Sequence, residues 1–197
     1  IVASPDWSSV GSITYYAESE NSTTNCISLF RTAVTLTIDA IPVAPTSGGD
    51  QTECEANPTQ TMTATATAPA GATVVWYTAA TGGSMVGSPT LNAVGTVTYY
   101  AESRTTSSGC VSETRTAVVL TMNSTPTIAI TPSSQMCSVD LTTYSVSVDV
   151  NRGMVTSTEG TVTDNGGNNW TISGVPSGNN ITVTVTDANT CAETINI

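Results

Sequence analysis

The chain of 197 residues has no histidine and no lysine. Only four arginines stand against fifteen acidic side chains, leaving a net charge of −11. Without basic patches, nothing holds a phosphate backbone or an anionic headgroup, which argues against nucleic acid and anionic membranes as partners; direct membrane insertion is not expected either. The usual catalytic bases and amine nucleophiles are missing, so no catalytic residue is expected. The missing lysine also excludes Lys–Asn isopeptide cross-links as stiffeners. No apolar run is long enough for a membrane-spanning helix. A charged start followed by an apolar core, the mark of a secretion signal, is absent too. No segment shows a helical period, and neither a CxxC spacing nor a histidine suggests zinc.

Threonine dominates instead, at 39 of 197 residues. It is β-branched and favours extended backbone. Apolar and polar residues alternate along Val34–Ile38, Val118–Met122, Met62–Ala66, Tyr144–Val150 and Ile181–Val185. Period two with one apolar face predicts half-buried antiparallel strands. Turn clusters such as Thr81-Gly82-Gly83, Ser107-Ser108-Gly109 and Pro176-Ser177-Gly178 separate them,. The pattern predicts an all-β chain of immunoglobulin-like β-sandwiches.

The chain also repeats itself. Thr14-Tyr15-Tyr16-Ala17-Glu18-Ser19 recurs as Thr98-Tyr99-Tyr100-Ala101-Glu102-Ser103, an offset of 84 residues, and 19 of the 40 positions in 1–40 match those in 85–124. A period of this size is one small domain, and a tandem copy predicts an elongated array. Three segments follow. Residues 1–40 are the C-terminal half of a repeat, 41–123 a complete repeat, and 124–197 a second type of β-sandwich repeat. Half a sandwich buries no core, so 1–40 is expected to be poorly ordered unless completed by upstream chain or a neighbour. Pro-containing junctions at 41–49 and 123–127 predict semi-rigid links.

Five cysteines are present. The repeat makes Cys26 equivalent to Cys110, so Cys26 is expected to lack its partner through truncation. Bridges kept inside one repeat predict Cys54–Cys110 and Cys137–Cys191. Each closes a loop of about 55 residues, worth about 4 kcal/mol in the chain-entropy model. Such bridges imply an oxidising, extracellular or cell-surface location.

The unit at 43–123 resembles the immunoglobulin-like repeats of large secreted Bacteroidota proteins. The resemblance rests on Cys54, Val75-Trp76-Tyr77, Thr81-Gly82-Gly83, Thr98-Tyr99-Tyr100-Ala101-Glu102 and Cys110. Residues 137–191 are similar to repeats of the gliding-motility adhesin (SprB-like) type, through Val185-Thr186-Asp187-Ala188-Asn189-Thr190-Cys191. That family usually carries glycine before the cysteine, where Thr190 stands here. The resemblance implies a giant surface protein exported by the type IX system and used in adhesion or gliding. Its partners are then neighbouring repeats of the same chain, and surface polysaccharide or other cells.

Individual residues fit this picture. Trp76 is expected in the core against the Cys54–Cys110 bridge, and Tyr99 inward with its hydroxyl on backbone. Trp7, Tyr77, Tyr100 and Trp170 are the candidates for stacking on a sugar. The oxygens of Asp164, Asp187 and Asn189 are the candidates for calcium, although the spacing matches neither an EF-hand nor the nonapeptide calcium repeat, so no metal or cofactor is expected. Glu18 and its copy Glu102 read as strand-surface residues. The expected function is a non-catalytic stalk that projects a distal binding region. The alternative is a glycan-binding or spacer module of a secreted polysaccharide-degrading enzyme.

Overall fold

The computed structural model describes residues 4–197. Every regular element among them is a β-strand, as the alternation requires. The chain divides into two compact units. One holds the described residues up to Asp50 with Ala64–Pro89 and Thr98–Val118. The other holds Gln51–Thr63, Thr90–Val97 and Val119–Ile197.

In the first unit, Gly11–Ala17 pairs antiparallel with Thr32–Ile38. Residues 1–40 were expected to lack order without a completing partner, yet this strand pair is formed. Its two faces differ as period two dictates. One carries hydroxyl pairs, Ser12 with Thr37 at 2.8 Å and Thr14 with Thr35 at 2.9 Å. The other carries Ile13, Tyr15, Val34, Leu36 and Ile38. Elsewhere in the unit, Ala72–Tyr77 pairs with Met85–Val86 on one side and with Tyr100–Thr105 on the other. The latter register sets Trp76 opposite Ala101 and Tyr77 opposite Tyr100.

In the second unit, Gln51–Cys54 runs parallel to Leu120–Asn123, with Cys54 opposite Asn123. Residues 124–197 form two facing sheets. One has the order Ile128–Ile130, Thr143–Val150, Asn169–Pro176, Thr161–Gly166, with Met136–Cys137 also paired to Thr143–Val150. The other has Met154–Ser157, Thr182–Thr186 and Ala192–Asn196. Inward residues at every second position build the core: Val146, Val148 and Val150 from one strand, Val183 and Val185 from a facing one, with Val155, Ile172, Val175 and Ile181. Burial of each such side chain contributes about 1.5–3 kcal/mol.

The expected disulfides are not the ones formed. A single bond joins Cys54 to Cys191, while Cys26, Cys110 and Cys137 are free thiols. Strand register gives the reason. Cys54 lies beside Asn123, the last residue of the strand Thr116–Asn123, whereas Cys110 precedes the first. The length of that strand, about 23 Å at 3.3 Å per residue, separates the two ends. A disulfide needs Cα atoms within about 7 Å. Cys137 and Cys191 are divided in the same way. Cys137 pairs with Tyr144, at the start of Thr143–Val150. Cys191 sits by Asp187, which is held by Arg152, just past that strand's other end.

Candidate functional site

Two constructions stand out, one in each unit. In the first, the strand Gly95–Thr105 turns Glu102 inward. Its side chain is 8% exposed, and that of Arg115 is 12%. Arg115 donates from Nε and Nη2 to Glu102 Oε2 at 3.1 and 3.0 Å. Its Nη1 donates to the carbonyls of Ala79 and Gly82, at 2.9 and 2.7 Å, tying down the Thr81-Gly82-Gly83 turn. The guanidinium lies 3.4 Å from the Tyr77 ring centre, an attraction between cation and ring face. The Tyr77 hydroxyl donates to Glu102 Oε1 at 3.2 Å, and Arg104 Nη2 donates to that hydroxyl at 3.3 Å. Both oxygens of the Glu102 carboxylate are engaged, by Arg115 on one side and by Tyr77 and Arg104 on the other, so the cluster is a clamp, while Arg104 Nε is buried without a hydrogen-bond partner,.

Glu102 is therefore a buried anchor, not the strand-surface residue expected. The signal was in the repeat: Glu18 and Arg31 stand 84 residues earlier, with the same spacing. There Arg31 Nε meets Glu18 Oε2 at 2.7 Å, but the side chains are 62% and 31% exposed.

In the second unit the site is the Cys54–Cys191 bond and its surroundings. The turn between Thr182–Thr186 and Ala192–Asn196 is closed by Asp187, whose N–H donates to the Cys191 carbonyl at 2.9 Å. Asp187 Oδ1 accepts from the N–H groups of Asn189 and Cys191, at 2.9 and 3.0 Å. Its Oδ2 accepts from Arg152 Nε at 3.0 Å. Arg152 Nη2 in turn donates to the Ser124 carbonyl and hydroxyl, at 2.6 and 2.9 Å. Burial pushes the Asp187 carboxyl up. The Arg152 and backbone hydrogen bonds, with the Arg152 charge, outweigh it and hold the group below its ordinary value,. Glu55, Asn57, Thr59, Thr125 and Glu193 line a shallow cleft in the same unit.

The calcium candidates are not gathered. Asp187 is engaged by Arg152 and turn amides, Asn189 gives its N–H to Asp187, and the exposed Asp164 accepts from Gly166 N at 2.8 Å. Among the described residues no group of three or more acidic, His or Cys side chains converges. The sugar-stacking candidates are all buried or half-buried within their own units. Tyr77 is buried beneath Arg115, so its ring offers no open face. Trp7 is half-buried and donates its indole N–H to the Gly11 carbonyl at 3.1 Å. Tyr100 is half-buried opposite Tyr77, and Trp170 packs on the valine core of the second unit. Trp76 is only half-buried, and the bridge it was expected to cover does not form. Tyr15, the copy of Tyr99 in the repeat, donates its hydroxyl to the Asp6 carbonyl at 2.8 Å.

Residues 42–123 match the model of a family described as "Ig-like domain CHU_C associated". No curated protein matches the chain in sequence. Among solved structures, it is similar to the Bacteroides ovatus mixed-linkage glucan utilization locus protein SGBP-B, in complex with a mixed-linkage heptasaccharide. That likeness is at 14% identity and a TM-score of 0.26, over 80% of this chain and 45% of the other. It is also similar to the human Desmocollin-1 ectodomain, at 9% identity and a TM-score of 0.27, over 94% and 43% of the two chains. The chain thus spans less than half the length of either.

Proposed function

We propose that this immunoglobulin-like chain is a non-catalytic stalk segment of a large cell-surface adhesin or filament of the gliding-motility type, exported by the type IX route. In this reading the segments 1–40, 41–123 and 124–197 are successive repeats that carry a distal binding region away from the cell. Neighbouring repeats are their partners, and polysaccharide or another cell is met at the far end.

One observation supports the reading most. Val34 and Ile38 are 48% and 38% exposed, whereas their copies Val118 and Met122 are 0% and 1% exposed. The same apolar alternation is a finished core face in one place and an uncovered one in the other. The uncovered face, with Tyr15 and Leu36, lines a cleft of about 630 Å³. An apolar sheet face of this kind is stable in water only against a second layer. The disulfide supports an oxidising compartment outside the cytoplasm.

The test is the size and repeat content of the polypeptide isolated from its own cells. A very long chain with many further units is the expected result. A short chain carrying a catalytic domain overturns the stalk and makes these segments accessory modules of a polysaccharide-degrading enzyme.

A further inference from the structure

Cys26, Cys110 and Cys191 each close a turn between two chain segments; the first two turns span five residues to the cysteine and the third spans four. Asn21, Thr105 and Asp187 each donate N–H to the carbonyl of the cysteine that closes the turn, at 2.9 Å in all three. The residue before each cysteine has positive φ: Asn25 at 53°, Gly109 at 73° and Thr190 at 65°. Cys191 thus shares the closing bond and the left-handed preceding residue with Cys26 and Cys110, in a turn one residue shorter, and it is the one that is bonded, to Cys54.

The poles of the strands give the bond its direction. In 42–123, the chain comes in beside the start of Thr116–Asn123, where the Thr116 hydroxyl donates to the Pro45 carbonyl. The Cys110 turn precedes that same start. Cys54 lies at the strand's other end, beside Asn123, where the segment finishes. In 124–197, the Cys191 turn is tied through Asp187 and Arg152 to Ser124, where the chain comes in. Cys137 pairs with Tyr144, whose hydroxyl donates to Asn179 near the Ile181–Ile197 pair where the segment finishes. Both segments therefore carry the late cysteine at the leading end and the early cysteine at the trailing end. The observed bond runs from the trailing Cys54 of one to the leading Cys191 of the next.

We infer that this bond is one link of a ladder, in which the trailing-end cysteine of each repeat bonds the leading-end turn cysteine of the repeat that follows. The inference rests on the stalk reading above and names its partner chemistry. Cys110 then takes the early cysteine of a preceding repeat, Cys26 that of the repeat before it, and Cys137 the turn cysteine of a following one. Cys26 and Cys137 are exposed and Cys110 is half-buried at its turn, so each thiol is placed at an end of its segment. Each link joins two sulfurs by loss of two thiol protons and two electrons. The electrons pass to a disulfide-form oxidant by thiol–disulfide exchange. Such a ladder carries tension across each junction through a covalent bond parallel to the linker.

The four arginines make the test simple, because trypsin separates all five cysteines: Cys26 in the peptide that contains 1–31, Cys54 in 32–104, Cys110 in 105–115, Cys137 in 116–152 and Cys191 in the peptide that contains 153–197. The polypeptide is isolated from its own cells, alkylated without reductant, digested and mapped by mass spectrometry. The expected map joins 32–104 to 153–197, and joins 105–115 and 116–152 each to a cysteine peptide of another repeat. Bonds from 32–104 to 105–115 or from 116–152 to 153–197 overturn the ladder. So does alkylated Cys110 or Cys137 in a polypeptide of many repeats, which leaves the stalk reading intact. A polypeptide without further repeats overturns both. In the 197-residue chain, Cys191→Ser is expected to leave Cys54 open to alkylation; its transfer to Cys110 refutes the argument from strand poles.

Discussion

Thr190 occupies a left-handed backbone position, with φ of 65°, that its counterpart Gly109 fills without strain,. A β-branched residue there costs about 1–2 kcal/mol. Thr190→Gly is therefore expected to raise the unfolding free energy by about 1 kcal/mol in urea titration, part of the gain being lost to a freer unfolded chain. Glu102 and Arg115 make the opposite case, since their charges are withdrawn from water. Removing one partner strands the other, at a cost of about 3–5 kcal/mol. Glu102→Gln or Arg115→Ala should show this loss in the same titration. Glu18→Gln or Arg31→Ala, at an open pair of the same spacing, should cost under about 1 kcal/mol,. Equal losses at the two pairs would mean that the Glu102 clamp is not buried in solution.

At the scale of elements, one strand pattern has two fates. Val34, Leu36 and Ile38 have the same period as Val118, Leu120 and Met122, but only the second set is fully buried. Period two says which face is apolar and nothing about what covers it. The turn at Asp187 joins two strands to the segment's leading end, and its carboxyl lies below its ordinary value in the folded state. The unfolded group titrates near about 3.9. Stability from this turn is thus fully present above that pH and is lost as pH falls through the lower folded value. Melting temperature is expected to drop over this acid range, and the drop should shrink in Arg152→Gln, where the carboxyl loses its partner. An unchanged acid profile in that variant would remove Arg152 as the cause.

Over the whole molecule, the bond from Cys54 to Cys191 closes a long loop, 137 residues apart. The chain-entropy model assigns such a closure up to about 5 kcal/mol. Cys54→Ser and Cys191→Ser should each lower unfolding free energy toward that amount. Cys137→Ser, at an exposed free thiol, should stay within about 0.5 kcal/mol,. Equal effects would place Cys137 in a bond within this chain.

Strand positions, turns, the all-β class and the repeat were legible because alternation, glycine placement and self-similarity are local properties. The Glu–Arg spacing recurs in plain sight at 18/31 and 102/115, yet its burial depends on Tyr77 and the Thr81–Gly83 turn, which reach it from elsewhere in the chain. Cysteine pairing was misjudged for a related reason: position in the sequence does not say at which end of a strand a residue lies. The order of residues by itself determined which side chains face a core and where the backbone turns, since both follow from bonds between near neighbours. Only the tertiary structure decided which cysteines meet and which faces are covered. These depend on strand register, and a strand only eight residues long already carries two cysteines beyond each other's reach,.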